Sequence, residues 1–220
     1  MKSLPPAWFD QSYYTNYYPD HDQKNTPRKL AYYRDTLARF LPPSQAPPRV
    51  LDLGCAFGSF VAALDARWQA YGTDVSEFAI GRARALVPHA TFAVMHGGVI
   101  PFAERFAAIA AWDVLEHIPD LDDIANQVRE HLVGDGVFGF AVPVYDGPLG
   151  GLVDRLDKDA THINRFPRRF WIDWAARHFS VVHWSGAFRY LLPGGHYIHW
   201  PSRALRNVSP AVVVVARTRG

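Results

Sequence analysis

Val50-Leu51-Asp52-Leu53-Gly54-Cys55-Ala56-Phe57-Gly58 runs a short apolar strand into a carboxylate and then into a turn of small residues. The residues that follow, from Ser59 to Ala66, read as a helix, so strand, tight loop and helix come in direct succession. A glycine at such a turn permits backbone angles that other residues resist, and its missing side chain lets a ligand lie against the peptide groups. The loop therefore reads as an element that holds a ligand.

Outward from this stretch the same alternation repeats. The patterning predicts strands over residues 49–53, 69–73, 91–94, 107–112, 136–142, 180–185 and 211–218, with helices over 58–66, 76–86, 121–132 and 167–179. Alternating strand and helix implies a parallel sheet covered on both faces, and the near-continuous apolar run over 106–112 suits a strand buried from both sides. Residues 1–48 show no strand signal. Pro27 can open a helix over 28–41 in which Leu30, Tyr33, Leu37 and Leu41 recur at helical spacing, and in a helical 8–18 segment Tyr13 and Tyr17 share a face. This part is read as a helical cap.

Two stretches interrupt the alternation. Residues 143–166 carry Gly147, Pro148, Gly150 and Gly151, then a charged run from Asp154 to Asp159, and are long for a plain connection; a lid is expected. Residues 186–210, rich in Tyr, His, Trp and Arg, form a second insertion ahead of the last strand. The 220 residues suit a single domain: cap 1–48, core 49–142, lid 143–166 and a carboxy-terminal part 167–220 that contains the insertion.

Composition narrows the class. With 49% hydrophobic and 20% charged residues the chain is an ordinary globular one. Its lone cysteine, Cys55, cannot form an internal disulfide, and the Met-Lys-Ser-Leu-Pro-Pro start has no signal-peptide core, so the reducing cytoplasm is the expected compartment. No apolar run approaches the ~20 residues of a membrane span. A formal charge of +2 without a dense basic stripe argues against a nucleic-acid partner.

In open parallel sheets ligands sit beyond the carboxyl ends of the strands, near the point where strand order reverses. Here those ends carry Asp52 with the glycine loop, Asp74, His96 with Gly97, and Trp112 with Asp113. Asp74 lies 22 residues after Asp52, near the ~20 expected for an acid that accepts ribose hydroxyls. Gly54, Ala56 and Gly58 do not make the Gly-x-Gly-x-x-Gly of a dinucleotide site.

The segment instead resembles motif I of the class I S-adenosylmethionine-dependent methyltransferases, of the small-molecule type. Tyr71-Gly72-Thr73-Asp74-Val75-Ser76 is similar to the family's second strand with its ribose-binding acid, and Ile100-Pro101-Phe102 to its Leu-Pro-Phe stretch. Trp112-Asp113-Val114-Leu115-Glu116-His117-Ile118 resembles its Val-Leu-Glu-His segment, and Thr161-His162-Ile163-Asn164-Arg165-Phe166 the His-x-x-x-Phe entry to a late helix. The resemblance implies a Rossmann-like, doubly wound, seven-stranded and mostly parallel sheet with an antiparallel last strand. It also implies S-adenosyl-L-methionine as cofactor, with Gly54, Cys55, Ala56 and Gly58 near its methionine and ribose, and Asp74 and Val75 at the ribose.

Two positions depart from the family. His96 stands where the family often has an acid that meets adenine, with Gly97 supplying an amide. Ala56 replaces the middle glycine, which requires a backbone outside the left-handed region. Tyr13, Tyr14, Tyr17 and Arg28 are candidates for the cofactor's carboxylate, although tyrosines packing the cap onto the sheet would serve equally, and Trp112 offers an aromatic face to the sulfonium.

Methyl transfer is a direct displacement that needs no metal, and a base only when the acceptor keeps its proton, as a hydroxyl does. Among ten histidines, His162 at the junction of lid and helix is the first candidate base, with His117 after strand four next and His196 behind. Arg165, Arg168, Arg169 or Arg189 could favour an anionic acceptor. Asp154, Asp157 and Asp159 lack the glycine and terminal glutamate of a calcium loop and read as a solvated lid; no metal ligands are assigned. Cys55 reads as a small packed side chain. The expected activity is methyl transfer to a small-molecule or glycan-linked acceptor, at oxygen. A NAD(P)-dependent oxidoreductase on the same sheet and a non-catalytic interaction module are the alternatives.

Overall fold

β1 (Arg49–Leu53) is an interior strand, third of eight, in the sheet. It pairs in parallel with β2 (Gln69–Asp74) on one side and β4 (Phe106–Trp112) on the other. β3 (Thr91–Val94) lies outside β2 and β5 (Leu132–Pro143) beyond β4, both parallel. Past β5 come β8 (Ala211–Arg217), β6 (Ser180–Leu191) and β7 (Tyr197–Ser202), giving the order β3-β2-β1-β4-β5-β8-β6-β7. β8 is antiparallel to both β5 and β6, and β7 is antiparallel to β6. This computed structural model describes residues 9–17, 21–191 and 197–219. Within them no helix is long and apolar enough to cross a membrane.

The doubly wound order and the antiparallel last strand are as expected, with one addition. Residues 186–210 are not a plain insertion: β6 continues to Leu191 and β7 returns beside it, adding an eighth strand at the sheet edge. Trp200 and Ile198 on that edge remain exposed, so β7 lacks the apolar alternation by which a half-buried strand is read.

Valines 212 to 215 of β8 are fully buried, alternate ones facing opposite sides. On one face Leu51, Ile109, Phe138, Phe140 and Val214 pack against Trp171 and Trp174 of α8 (Arg168–His178) and Ile124 and Val128 of α6 (Leu121–His131). On the other, Val50, Ala108, Val137 and Val213 meet Tyr33 and Leu37 of α3 (Pro27–Ala38). α3 is therefore a layer of the fold as well as a cap. Burial of Leu37 alone contributes about 2 kcal/mol. Thr26 caps this helix by accepting from Lys29 N, with Pro27 at its first turn. Ahead of α3 lie α1 (Gln11–Tyr17) and α2 (His21–Lys24). The α4 helix (Ser59–Ala62) is shorter than expected, and α5 (Glu77–Leu86) starts at Ser76, whose hydroxyl accepts from Ala79 N at 3.2 Å.

The lid stretch contains one helix, α7 (Gly150–Leu156), and its ends meet where Tyr145 N donates to Phe166 O. Strand order reverses between β1 and β4, so the crevice opens beyond Leu53 and Trp112.

Candidate active site

A cavity of about 790 Å³ occupies this crevice. The loop after β1 forms one wall. Gly54, Ala56 and Gly58 all have positive φ, at 68°, 47° and 80°. Ala56 thus lies inside the left-handed region that its side chain was expected to exclude. What holds it there is its own N–H, which donates to Asp74 Oδ2 at 2.9 Å. Gly54 has no alternative residue: a Cβ would sit 2.4 Å from Val114 Cγ2. Gly58 caps α4 and lies behind the cavity wall, in contact distance of Ala83 and Phe92.

Asp74 joins two elements. Besides Ala56 it accepts from Ser76 N at 2.9 Å, tying the β1 loop to the start of α5. A carboxylate offers about four acceptor sites, so part of that capacity remains for a ligand. Burial raises the Asp74 carboxyl, and the backbone N–H groups oppose that rise. Burial, and then the neighbouring Asp74, pushes Asp52 well above the carboxylate range. Burial likewise pushes the Cys55 thiol up, in keeping with a packed, unreactive side chain.

The wall beyond β3 differs from expectation. His96 is exposed and outside the cavity lining, while buried Met95, with Gly97 and Gly98, forms the wall. A strand sends successive side chains to opposite faces, so the wall residue is one place earlier. Val75 lines the cavity beside Asp74. Arg28 is exposed and borders a separate surface depression with Tyr197 and Trp200. The side chain of Tyr17 and all of His196 lie outside the described residues.

α1 covers the opening through aromatic contacts. Tyr14 packs on Phe57, with ring centroids 4.7 Å apart, and Tyr13 packs edge-on to Phe9 at 4.9 Å. Tyr13 OH donates to Asp159 Oδ2 at 3.0 Å, so it fastens the lid. Trp112 stacks on Tyr33 at 4.1 Å, and its buried Nε1–H has no partner among the described residues. Trp112 lines a cavity whose wall is also bare backbone at Gly54 and Gly97, a fit for a ligand with an apolar body and several acceptors.

Beyond Trp112 the wall becomes charged. Asp113, at φ 60°, pairs with Arg189 of β6 and lies 3.6 Å from Lys29 Nζ. Burial alone would raise its carboxyl, but Arg189 and Lys29 outweigh burial and hold it at about 2. Lys29 is buried, and burial lowers its ammonium against the pull of Asp113. Neither Lys29 nor Glu116 was singled out from the sequence. Of the other arginines, Arg168 is buried and donates to Asn207 O and Ser209 O, Arg165 binds Asp154, and Arg169 is exposed; none of them lines the cavity.

His117 and His162 meet at this end, ring centroids 4.6 Å apart. Thr161 Oγ1 donates to Asp159 Oδ1, so it accepts from His117 Nδ1 at 2.9 Å. His162 Nδ1 bonds Asp157 Oδ2 at 2.7 Å, and Tyr145 OH also donates to that oxygen. The acids of the lid are therefore not a solvated run: Asp154 is exposed, whereas Asp157 and Asp159 turn inward and order both imidazoles. Burial, and then the charge of His162, lowers His117 to about 4. His162 is raised: burial would lower it, but the Asp157 hydrogen bond and the charges of Glu116 and Asp157 prevail. Glu116, 1% exposed, is raised to about 8 by burial and then Asp113. Asn164 locks the lid exit to this turn by donating to Leu115 O and Ile118 O.

The comparisons with known proteins agree with this geometry. Residues 23–207 match the family model described as a methyltransferase domain. No curated protein matches the chain. Magnesium protoporphyrin IX methyltransferase from Synechocystis, solved with bound SAH, is 13% identical with a TM-score of 0.66, over 97% of this chain and 98% of that one. A SAM-dependent methyltransferase from Thermotoga maritima is 12% identical at TM-score 0.64, over 94% and 98%. A Haloferax volcanii protein in complex with the Trm112 methyltransferase activator is 14% identical at TM-score 0.69, over 100% of both chains. With a cofactor-sized cavity at the switch point of a doubly wound sheet, and a family model spanning most of its length, the chain belongs to the S-adenosylmethionine-dependent methyltransferase domain family.

Proposed function

We propose that this protein methylates an oxygen of a small-molecule or glycan-linked acceptor bound between Trp112 and the His117–His162 pair. The observation that carries the reading is continuity: one cavity runs from the bare backbone at Gly54 and Gly97 to two imidazoles ordered by lid carboxylates. The bound donor supplies a methyl on sulfur, whose bond to carbon breaks as the acceptor oxygen attacks and gives up its proton.

On this reading Gly54, Cys55 and Ala56 present backbone to the donor, and the remaining acceptor capacity of Asp74 takes the ribose hydroxyls. Met95 and Gly97 enclose the base. Buried Lys29 and half-buried Arg189, two cations facing the single carboxylate of Asp113, suit the donor's carboxylate or an anionic acceptor. His117 and His162 sit where the acceptor's proton leaves. Tyr13 and the 143–166 lid close over the acceptor and exclude water.

Calorimetric titration with S-adenosylhomocysteine and with NAD tests the donor. Binding of the first alone is expected; binding of NAD alone would sink the reading. A panel of hydroxylated small molecules and glycosides, scored by mass spectrometry for the gain of one methylene and by NMR for its position, tests the acceptor. Methyl found on nitrogen would overturn the assignment to oxygen.

A further inference from the structure

Glu116, His117 and His162 each place one potential metal-ligand atom within 4.8 Å of the other two. Glu116 is almost wholly buried, lines the cavity, and its Oε2 has no hydrogen-bond partner among the described residues. A buried carboxylate oxygen without a donor is costly, and native structures avoid it unless something unseen satisfies it. The two histidines are arranged alike. Each bonds an oxygen through Nδ1, His117 to Thr161 and His162 to Asp157, which leaves Nε2 as the ligand atom, that of His162 lying 3.8 Å from Asp159 Oδ2. Metal-binding histidines are oriented in this manner, the far ring nitrogen donating to a carboxylate or another oxygen. The oxygen each imidazole bonds is anchored in turn: Asp159 takes the Thr161 hydroxyl, and Tyr145 donates to the same Asp157 oxygen.

We propose that Glu116, His117 and His162 bind a first-row divalent transition-metal cation, Zn2+ foremost, with its open position toward the acceptor. Two imidazoles and one carboxylate with a fourth position free is the ligand set of a catalytic rather than a structural zinc site. Bonds of ~2.1 Å require ligand atoms about 3.4 Å apart, so the three groups, now within 4.8 Å of one another, draw together as the ion binds. The role rests on the oxygen-methylation reading. An acceptor hydroxyl bound at the open position forms a metal–oxygen bond and releases its proton to solvent more readily, leaving the oxygen to attack the methyl carbon. In the loaded protein the imidazoles are then ligands, and no separate base is required.

The test uses tag-free full-length protein stripped with a chelator, then titrated with ZnCl2 by calorimetry and assayed for bound zinc after gel filtration. Glu116→Gln, His117→Ala, His162→Ala and Asp157→Asn are treated in parallel, with S-adenosylhomocysteine affinity and melting temperature as controls of folding. One equivalent of zinc is expected in the wild type. Affinity should fall at least about 100-fold in each of the three ligand variants, and about 10–100-fold in Asp157→Asn, with S-adenosylhomocysteine affinity retained. No bound zinc, or zinc retained equally by every variant, overturns the site. Should S-adenosylhomocysteine bind while zinc does not, the metal falls and the methyl-transfer reading stands; should zinc bind and the nucleoside not, the reverse holds.

Discussion

The two ends of the cavity are built by opposite means. At the end proposed for the donor the contacts are local and made by backbone: Ala56 N and Ser76 N reach Asp74, and Cys55 N reaches Thr73 O at 3.0 Å, all between the β1 loop and the β2–α5 turn. At the acceptor end the contacts are between side chains from remote segments. Tyr13 meets Asp159 across 146 residues of chain, Arg189 meets Asp113 across 76, and His117 meets Thr161 across 44. A backbone-built site tolerates change in side chains but not in backbone angles. A side-chain network has the reverse sensitivity, and stores more of its free energy in buried charge.

The largest effect that contrast predicts is at Arg189. Arg189→Ala leaves the half-buried Asp113 with Lys29 alone, and removing one partner of so little-exposed a pair costs about 2–3 kcal/mol. Urea unfolding at neutral pH should show this loss, with a smaller effect on S-adenosylhomocysteine affinity. An unchanged midpoint would mean that the pair is solvated and the acceptor end is not charge-organised.

Asp74→Ala is the donor-end counterpart and should act the other way round. It removes the proposed ribose acceptor and releases the Ala56 and Ser76 N–H groups, so S-adenosylhomocysteine affinity should fall about 100-fold by calorimetry. Stability should change less than in Arg189→Ala. Equal affinity in the variant would place the nucleoside elsewhere.

The same contrast explains what the sequence revealed. The β1 loop, Asp74 and the strand order were legible because their physical requirements are met within a few residues: positive φ at Gly54, a carboxylate at a strand end, apolar strands between helices. His96 points away from the cavity and Met95 lines it, because which side chain enters is decided just past the end of the four-residue β3, where so short a strand sets the phase weakly. Asp157 and Asp159 read as solvated because their burial comes from Tyr13, Thr161 and His162, none of which the local pattern announces. Glu116 carried a signal that could have found it, an acid inside the otherwise apolar turn after a buried strand, but its orphaned oxygen is visible only in three dimensions. β7 escaped because an edge strand with Trp200 outward has no apolar face to count.

A pH series sharpens the electrostatic half of the comparison. Asp113 is held at about 2, below the 3.8 of the free side chain. A depressed carboxylate contributes stability that is present above its unfolded value and lost as pH falls through its folded one. The stability gap between the wild type and Asp113→Asn should therefore hold from neutral pH down to about 4 and shrink by about 2 kcal/mol toward pH 2. Urea midpoints of both proteins across that range read the difference directly, and a gap independent of pH would remove Asp113 as the charged centre of the acceptor wall.

The smallest effect tests the backbone half. Ala56 at φ 47° bears the left-handed cost of ~1–2 kcal/mol that a glycine would not. Glycine in its place adds unfolded-state freedom worth ~0.5–1 kcal/mol in the other direction, so Ala56→Gly should stabilise by about 1 kcal/mol or less. Its N–H to Asp74 is untouched by the change, and S-adenosylhomocysteine affinity should stay within about twofold, because at this end the peptide rather than the methyl faces the ligand. Thermal and urea unfolding alongside calorimetry separate the two terms. A loss of stability would show that the Ala56 methyl is held by the Tyr13, Tyr14 and Phe57 cluster it packs against, and that the donor end too relies on side-chain contacts from the amino-terminal helix.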